Sequence, residues 1–268
     1  MIWHRRQIPL LHERECKPCN HEGLSSFIDT FVCNSQNTLA MEKEIRTANV
    51  YNLIILDESG SMHSIYSQAL SALNETLNGI RNTQAEYPHQ HHFVSVITFE
   101  GQGMGAVKVR RDRIPVEKVE DMTEKDYRPG GCTPLYDAMG SAITSLSKVV
   151  SEGDAVLVTV ITDGEENSSQ EYSGTAVKSL VSQMREKGWT FVYIGANQDA
   201  VETARDLNIA NALNYDATPE GTARMSVRWE KARKKFARKV QCCLEEGAAA
   251  PMASFRGIFE DDGNEEKE

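Results

Sequence analysis

Two apolar segments of the sequence each run directly into side chains that carry oxygen atoms. Residues 51–56 lead into Asp-Glu-Ser-Gly-Ser at 57–61, and residues 155–161 lead into Thr162 and Asp163. Carboxylate and hydroxyl oxygens are the ligands that hard cations such as Mg²⁺ prefer. Because ligands of open α/β sheets bind beyond the carboxyl ends of the strands, these two loops predict a cation site.

Another loop, which lies between these two in the sequence, adds a further hydroxyl. The sequence Gly-Gly-Cys-Thr at 130–133 comes just before a predicted helix, whose first turn suits Pro134. The segment 57–61 alone is weak evidence, since Asp and Ser are ordinary turn and helix-cap residues. The pattern becomes specific because three separate loops bring oxygen side chains to the same predicted edge of the sheet.

Together these loops resemble the metal-ion-dependent adhesion site (MIDAS) of the von Willebrand factor type A (vWA) family. The family pattern is Asp-x-Ser-x-Ser, then a Thr on a second loop and an Asp on a third. The resemblance covers about residues 48–240, and the sequence Gly-Ala-Asn-Gln-Asp-Ala at 195–200 is similar to small stand-alone bacterial members. The five matching residues are Asp57, Ser59, Ser61, Thr133 and Asp163.

The resemblance implies an octahedral Mg²⁺ or Mn²⁺. It implies that Ser59, Ser61 and often Thr133 bind the cation directly, whereas Asp57 and Asp163 act largely through water. Neutral hydroxyls leave such a cation electron-poor, so an open coordination position attracts a Glu or Asp carboxylate of a partner protein. The expected function is therefore cation-dependent protein binding without catalysis.

A metal-assisted hydrolase that uses the same oxygen cluster is the alternative. The sequence argues against it, because the loops lack the carboxylates for a second metal and an evident histidine base. P-loop and Gly-x-Ser-x-Gly nucleophile motifs are also missing from the sequence. A scaffold that binds no metal is a third possibility, and the intact five positions argue against that as well.

Several polar residues near these loops have ordinary explanations. We expect Glu58 to face solvent rather than bind the cation, and Glu165 and Glu166 to be solvated. Cys132 is expected to be a small packing residue, because no base accompanies it. The histidine-rich residues 89–92 are expected to form a solvated loop before a strand.

The elements that must position these loops alternate along the chain. Buried-strand runs and helical spacings predict an α/β fold of the doubly wound, Rossmann-like kind. The sheet is expected to be mostly parallel, with one antiparallel edge strand and helices on both faces. The predicted strands are 51–56, 93–99, 107–109, 155–161, 190–194 and 212–214, and the predicted helices are 65–80, 134–150, 177–187, 200–207 and 219–240.

Three regions divide the chain: an irregular extension over 1–45, the vWA-like domain over 46–244, and an acidic, disordered tail over 245–268. One hypothesis is that Met41 is the natural start. The extension also offers a small zinc site as an alternative, although it has only one Cys-x-x-Cys pair. That alternative involves His12, Cys16, Cys19, His21 and Cys33.

Composition limits the functions further. The chain has 268 residues, is 40% hydrophobic and carries a formal net charge of −10, so general nucleic-acid binding is disfavoured. Six cysteines are too few for a disulfide scaffold, and no apolar run reaches the ~18 residues of a membrane span. A cytoplasmic protein with no membrane contact is expected, and the oligomeric state stays open.

The last predicted helix departs from this acidic balance. Its basic residues suggest either a patch for nucleic acid or an acidic partner, or a solvated face above a packing stripe of Met225, Trp229 and Phe236. The acidic net charge favours the solvated face. The basic residues are Arg224, Arg228, Lys231, Arg233, Lys234, Lys235, Arg238 and Lys239.

Overall fold

The computed structural model describes residues 46–196, 200–246 and 254–260. Within these ranges, six strands form one sheet of order β3-β2-β1-β4-β5-β6. The strands are β1 (Ala48–Asp57), β2 (Gln90–Phe99), β3 (Val107–Pro115), β4 (Ala155–Thr162), β5 (Thr190–Ala196) and β6 (Asn211–Tyr215). The helices are α1 (Tyr66–Glu86), α2 (Leu135–Ser147), α3 (Gly174–Glu186), α4 (Ala200–Asp206) and α5 (Pro219–Glu246).

The predicted fold class is confirmed. Strands β1, β2, β4, β5 and β6 pair in parallel, and only β3 runs antiparallel, at the edge beside β2. All eight residues of β4 are buried, as expected of a strand with helices on both faces. Side chains of α1 and α5 pack into one hydrophobic cluster, and those of α2, α3 and α4 pack into the other.

Strand β3 is longer than predicted. It extends through residues 110–115, where four charged side chains interrupt the apolar pattern from which strands were predicted. The pairing with β2 shifts register near Val94 and Val96, and Arg113 there has a φ of 50°. Charges and register shifts are common on edge strands, where they discourage pairing with other chains.

Helix α5 continues to Glu246, six residues beyond the predicted end, because Leu244 still packs against the core. Among the helices that the structure describes, none is both long enough and apolar enough to cross a membrane.

Residues 254–260 pack against the domain, so the prediction of a disordered tail is wrong for this segment. The side chain of Asn211 holds it from both sides: Nδ2 donates to the carbonyl of Phe255 at 2.8 Å, and Oδ1 accepts from the amide of Ile258 at 3.3 Å. Ile258 is buried, which an acidic average composition concealed. The predictions made for residues 1–45, 197–199, 247–253 and 261–268 lie outside the described residues.

The prediction of a solvated loop is also wrong for His92, because β2 begins at Gln90 and turns this side chain into the interior. His92 Nδ1 lies 3.3 Å from Asn52 Nδ2, and Arg233 of α5 is buried nearby. Burial, followed by the charge of Arg233, lowers the pKa of His92 from its ordinary 6.5 to about 4. Between pH 6.5 and about pH 4, His92 is therefore neutral in the folded chain and protonated in the unfolded chain.

This requirement predicts a pH dependence of stability. The unfolded chain binds the His92 proton near pH 6.5 and the folded chain only near pH 4. The contribution is therefore fully present above pH 6.5 and is lost as the pH falls towards 4. Between pH 7.5 and 5, wild type should lose about 2 kcal/mol more unfolding free energy than His92→Gln, measured by urea denaturation. The exposed neighbour His91, changed to Gln, should keep the wild-type slope.

Candidate metal centre

Asp57 ends β1 and is completely buried. Its Oδ1 accepts from the backbone amide of Ser59 at 2.7 Å, and its Oδ2 accepts from the hydroxyl of Thr162 at 2.5 Å. The Tyr127 hydroxyl donates to the Asp57 carbonyl at 2.8 Å. Both carboxylate oxygens are thus held in place by groups from the ends of β1 and β4.

The first loop is residues 57–61, the second is residues 130–133, and the third begins at Asp163. A hydroxyl of the first loop contacts the third. Ser61 Oγ donates to Asp163 Oδ1 at 2.6 Å, and Ser59 Oγ lies 3.1 Å from Ser61 Oγ. A continuous line of oxygen atoms therefore runs from the first loop to the third. Ser59 is buried whereas Ser61 is exposed, so this line leads from the interior to the surface.

Thr133 of the second loop approaches the other two loops at Gly164, which follows Asp163 on the third loop. A methyl group placed on Gly164 would lie 3.4 Å from both Ser61 Oγ and Thr133 Oγ1, and 4.0 Å from Asp57 Oδ2. Oxygens of the first and second loops thus surround one point in front of this glycine, which itself lies on the third loop. The structure brings together all five residues that the sequence singled out.

The electrostatics of this cluster favour a cation. Burial raises the pKa of Asp57, hydrogen bonds from Thr162 and Ser59 oppose that rise, and the charge of Asp163 adds to it, so that the pKa is about 6. Burial likewise raises the pKa of Asp163. Two carboxylates beside three hydroxyls, with their negative charge poorly compensated, make a donor set that fits a hard divalent cation.

Glu58, between the first two predicted ligands, is fully buried, so the expectation of a solvent-facing side chain is wrong. Arg110 of β3 donates to its two oxygens at 3.0 and 2.8 Å, and the amide of Arg128 donates at 2.6 Å. Lys108 lies 3.5 Å away. Although burial raises the pKa of Glu58, the hydrogen bonds from Arg128, Thr98 and Arg110 hold it below its ordinary value.

Glu58 and its partners, which we call the Glu58 anchor, hold the first two loops together. The Gly130 amide donates to the Glu58 carbonyl at 2.8 Å, and the Gly60 amide donates to the Gly131 carbonyl at 3.1 Å. Because Glu58 points towards β3 while its neighbours Asp57 and Ser59 join the oxygen cluster, the ion pair with Arg110 aligns the loop without entering the cluster.

Glu166 holds the third loop in place through hydrogen bonds, so the expectation that its side chain is solvated is wrong. Its carboxylate accepts from the amides of Tyr136, Ser168 and Ser169 at 2.9, 2.8 and 2.7 Å. Glu165, in contrast, is exposed as expected. Glu166 thus ties the third loop to the first turn of α2.

Asn167 holds Thr133 directly. Its Oδ1 accepts from the Thr133 amide at 2.9 Å, and its own amide donates to the Thr133 carbonyl at 3.1 Å. Cys132 is exposed, so the packing role expected for it is wrong. Sequence reasoning missed Thr98, Arg110, Tyr127 and Asn167, since none matches a ligand motif. Thr162 was noted as a hydroxyl directly before Asp163, but its hydrogen bond to Asp57 was not predicted.

The vWA resemblance has support from comparisons with known proteins. A sequence model of the von Willebrand factor type A domain matches residues 53–224. No curated protein sequence matches the chain.

Solved structures with the same fold include the pilus adhesin SpaC of Lactobacillus rhamnosus GG. It superimposes with a TM-score of 0.54 at 11% identity, over 72% of this chain and 31% of the adhesin. The VWA domain of SpRpn10 gives 0.49 at 12% identity, over 67% of this chain and 94% of that one. The proximal thread matrix protein 1 of mussel byssus, solved with a zinc-occupied MIDAS motif, gives 0.47 at 14% identity, over 72% and 47%. At these identities, the likeness to SpaC supports the fold alone.

Because Glu58 is buried, removing its partner Arg110 should destabilise the fold more than removing the exposed Arg205. Arg110→Ala should lower the free energy of unfolding by about 3 kcal/mol, because it leaves a buried carboxylate without its main partner. Arg205→Ala removes an exposed pair with Glu202 and should cost less than about 0.5 kcal/mol. Urea denaturation at neutral pH measures both, and equal losses would contradict the anchoring role of Glu58.

Proposed function

This chain belongs to the von Willebrand factor type A domain family, and from that premise we propose that it is a divalent-cation-dependent protein-binding module. The cation, Mg²⁺ or Mn²⁺, lies among the oxygen atoms of three loops at the carboxyl edge of the sheet. The residues that hold it are Asp57, Ser59, Ser61, Thr133 and Asp163.

The observation that carries this proposal is the convergence at Gly164. Three oxygens from two loops, on Ser61, Thr133 and Asp57, lie within 4.0 Å of the point where a side chain on this glycine would begin. Two adjacent carboxyl groups with raised pKa values supply the reason for a positive ion to bind there. In the absence of a side chain at residue 164, space remains for it.

The five residues divide into two roles in this proposal. The hydroxyls of Ser59, Ser61 and Thr133 contact the cation, whereas Asp57 and Asp163 orient them and neutralise the charge. The hydrogen bond from Ser61 to Asp163 supports this division, because the carboxylate already accepts from the hydroxyl. When bound, the cation supplies an electron-poor centre for a Glu or Asp carboxylate of a partner protein. Ser61 is exposed, so the partner approaches from that side.

The same donor set favours binding over hydrolysis. Two-metal hydrolases hold their ions about 4 Å apart with several carboxylates. In the part of the chain that the structure describes, no group of three or more His, Cys, Asp or Glu side chains gathers as such a site needs. Two carboxylates and three hydroxyls suit a single cation that binds a partner.

Gly164→Ala tests the cation site directly. Its φ is not in the left-handed region, so alanine fits the backbone, and the new methyl group keeps ordinary contact distances to Ser61 and Thr133. It nevertheless occupies the point on which the oxygens converge. We expect Mn²⁺ affinity, measured by isothermal titration calorimetry, to fall at least about tenfold, since the methyl group excludes the ion.

Gly130→Ala is the matched control, because a methyl group at Gly130 meets nothing within 4 Å. It should leave both Mn²⁺ affinity and the thermal midpoint unchanged. Equal Mn²⁺ affinity in Gly164→Ala and Gly130→Ala would overturn the placement of the cation.

Partner binding is tested separately from metal binding. In a pull-down from native lysate with Mg²⁺, wild type should retain partners that Thr133→Ala and a chelator-treated sample lose. Thr175→Ala on the exposed surface of α3 is the control and should retain them. Retention of the same partners by all samples would contradict a metal-bridged contact. Hydrolysis of phosphate or ester substrates that is lost in Asp57→Ala would instead support the hydrolase alternative.

A further inference from the structure

The outer face of α5 carries a concentration of positive charge in an acidic protein. Residues 221–244 contain eight Lys or Arg and a single Glu, whereas the whole chain has a net charge of −10. Five of the cations recur every three or four residues and therefore share one side of the helix. This basic stripe consists of Arg224, Arg228, Lys231, Lys235 and Arg238.

Much of this charge has no acidic counterpart on the surface. Arg228, Lys231 and Lys239 are exposed and form no salt bridge with any carboxylate in the described ranges. Arg228 instead lies over the ring of Phe259, 5.9 Å from its centroid. Arg228 and Lys231 of the stripe, and Lys239 beside it, thus form a solvated basic face, as the sequence predicted, that is open to acidic side chains.

The chain itself brings acidic residues to the same place. Residues 254–260 end on α5: Phe259 lies against Trp229, with ring centroids 6.3 Å apart, and Lys235 Nζ donates to the carbonyl of Glu260. The following residues, 261–268, contain five Asp or Glu and one Lys. An acidic segment thus begins within the basic stripe.

We propose that residues 261–268 dock on the basic stripe of α5 by charge complementarity. The reach is sufficient, since eight extended residues span up to about 27 Å, and the helix from Arg224 to Lys239 is about 22 Å long. Exposed ion pairs are individually weak, but attachment at Glu260 keeps the segment at a high effective concentration.

Carbodiimide cross-linking of the full-length chain tests this proposal, because the reagent joins a carboxylate to a lysine amine only where the two touch. At low salt, we expect carboxylates of 261–268 to cross-link to Lys231, Lys235 and Lys239. These products should exceed cross-links to Lys178 and Lys187, exposed residues on and beside α3 at the opposite face of the sheet, by about fivefold. They should fall steeply at about 500 mM NaCl, where charges are screened.

Variants and isotope labelling complete the experiment. Lys231→Gln with Lys239→Gln should remove the corresponding products and weaken the link to Lys235, whereas Lys178→Gln with Lys187→Gln should change nothing. A mixture of ¹⁵N-labelled and unlabelled chains identifies links between molecules. Links found only between chains would assign the stripe to a second copy and overturn the proposal. Links spread equally over both faces, or no links to 261–268, would overturn it as well.

Discussion

The parallel pairing of β1 with β4 is the constraint on which the site depends. Leu56 pairs with Ile161, so the two strands end at the same edge within one residue of each other. Asp57 and Asp163, more than a hundred residues apart in sequence, therefore enter neighbouring loops. Both strands are buried on each face, which fixes this register through hydrophobic packing. The register of these two strands consequently sets where the first and third loops begin.

Adjacent carboxylates in one segment have opposite electrostatic environments. Glu58 faces Arg110 and Lys108 of the edge strand, which hold its charge. Asp57, one residue earlier, is buried among hydroxyls and near Asp163, and its pKa is raised to about 6. Arg110 and Lys108 thus neutralise the charge of Glu58, whereas the negative charge of the oxygen cluster is left uncompensated. This separation is the physical basis for assigning the cluster, and not Glu58, to a divalent ion.

The sequence was sufficient to predict the fold class, because runs such as residues 155–161 are apolar throughout and alternate with helical spacings. It also identified the five residues that the loops bring together, since each follows a strand or precedes a helix at a recognisable position. Their use as metal ligands stays a prediction. The anchors were not predictable: Glu58, Glu166 and Asn167 acquire their roles from partners distant in sequence. Nor was the packing of Ile258, which an acidic neighbourhood obscured.

In the proposed function, three loops hold one cation at the edge of the sheet. An anomalous difference map from crystals soaked in Mn²⁺ tests it most directly. The expected result is a single strong peak in front of Gly164, at about 2.1 Å from hydroxyl oxygens of Ser59 and Ser61. A map with no peak there at saturating Mn²⁺, or with its strongest peak at the histidines of 89–92, would contradict it.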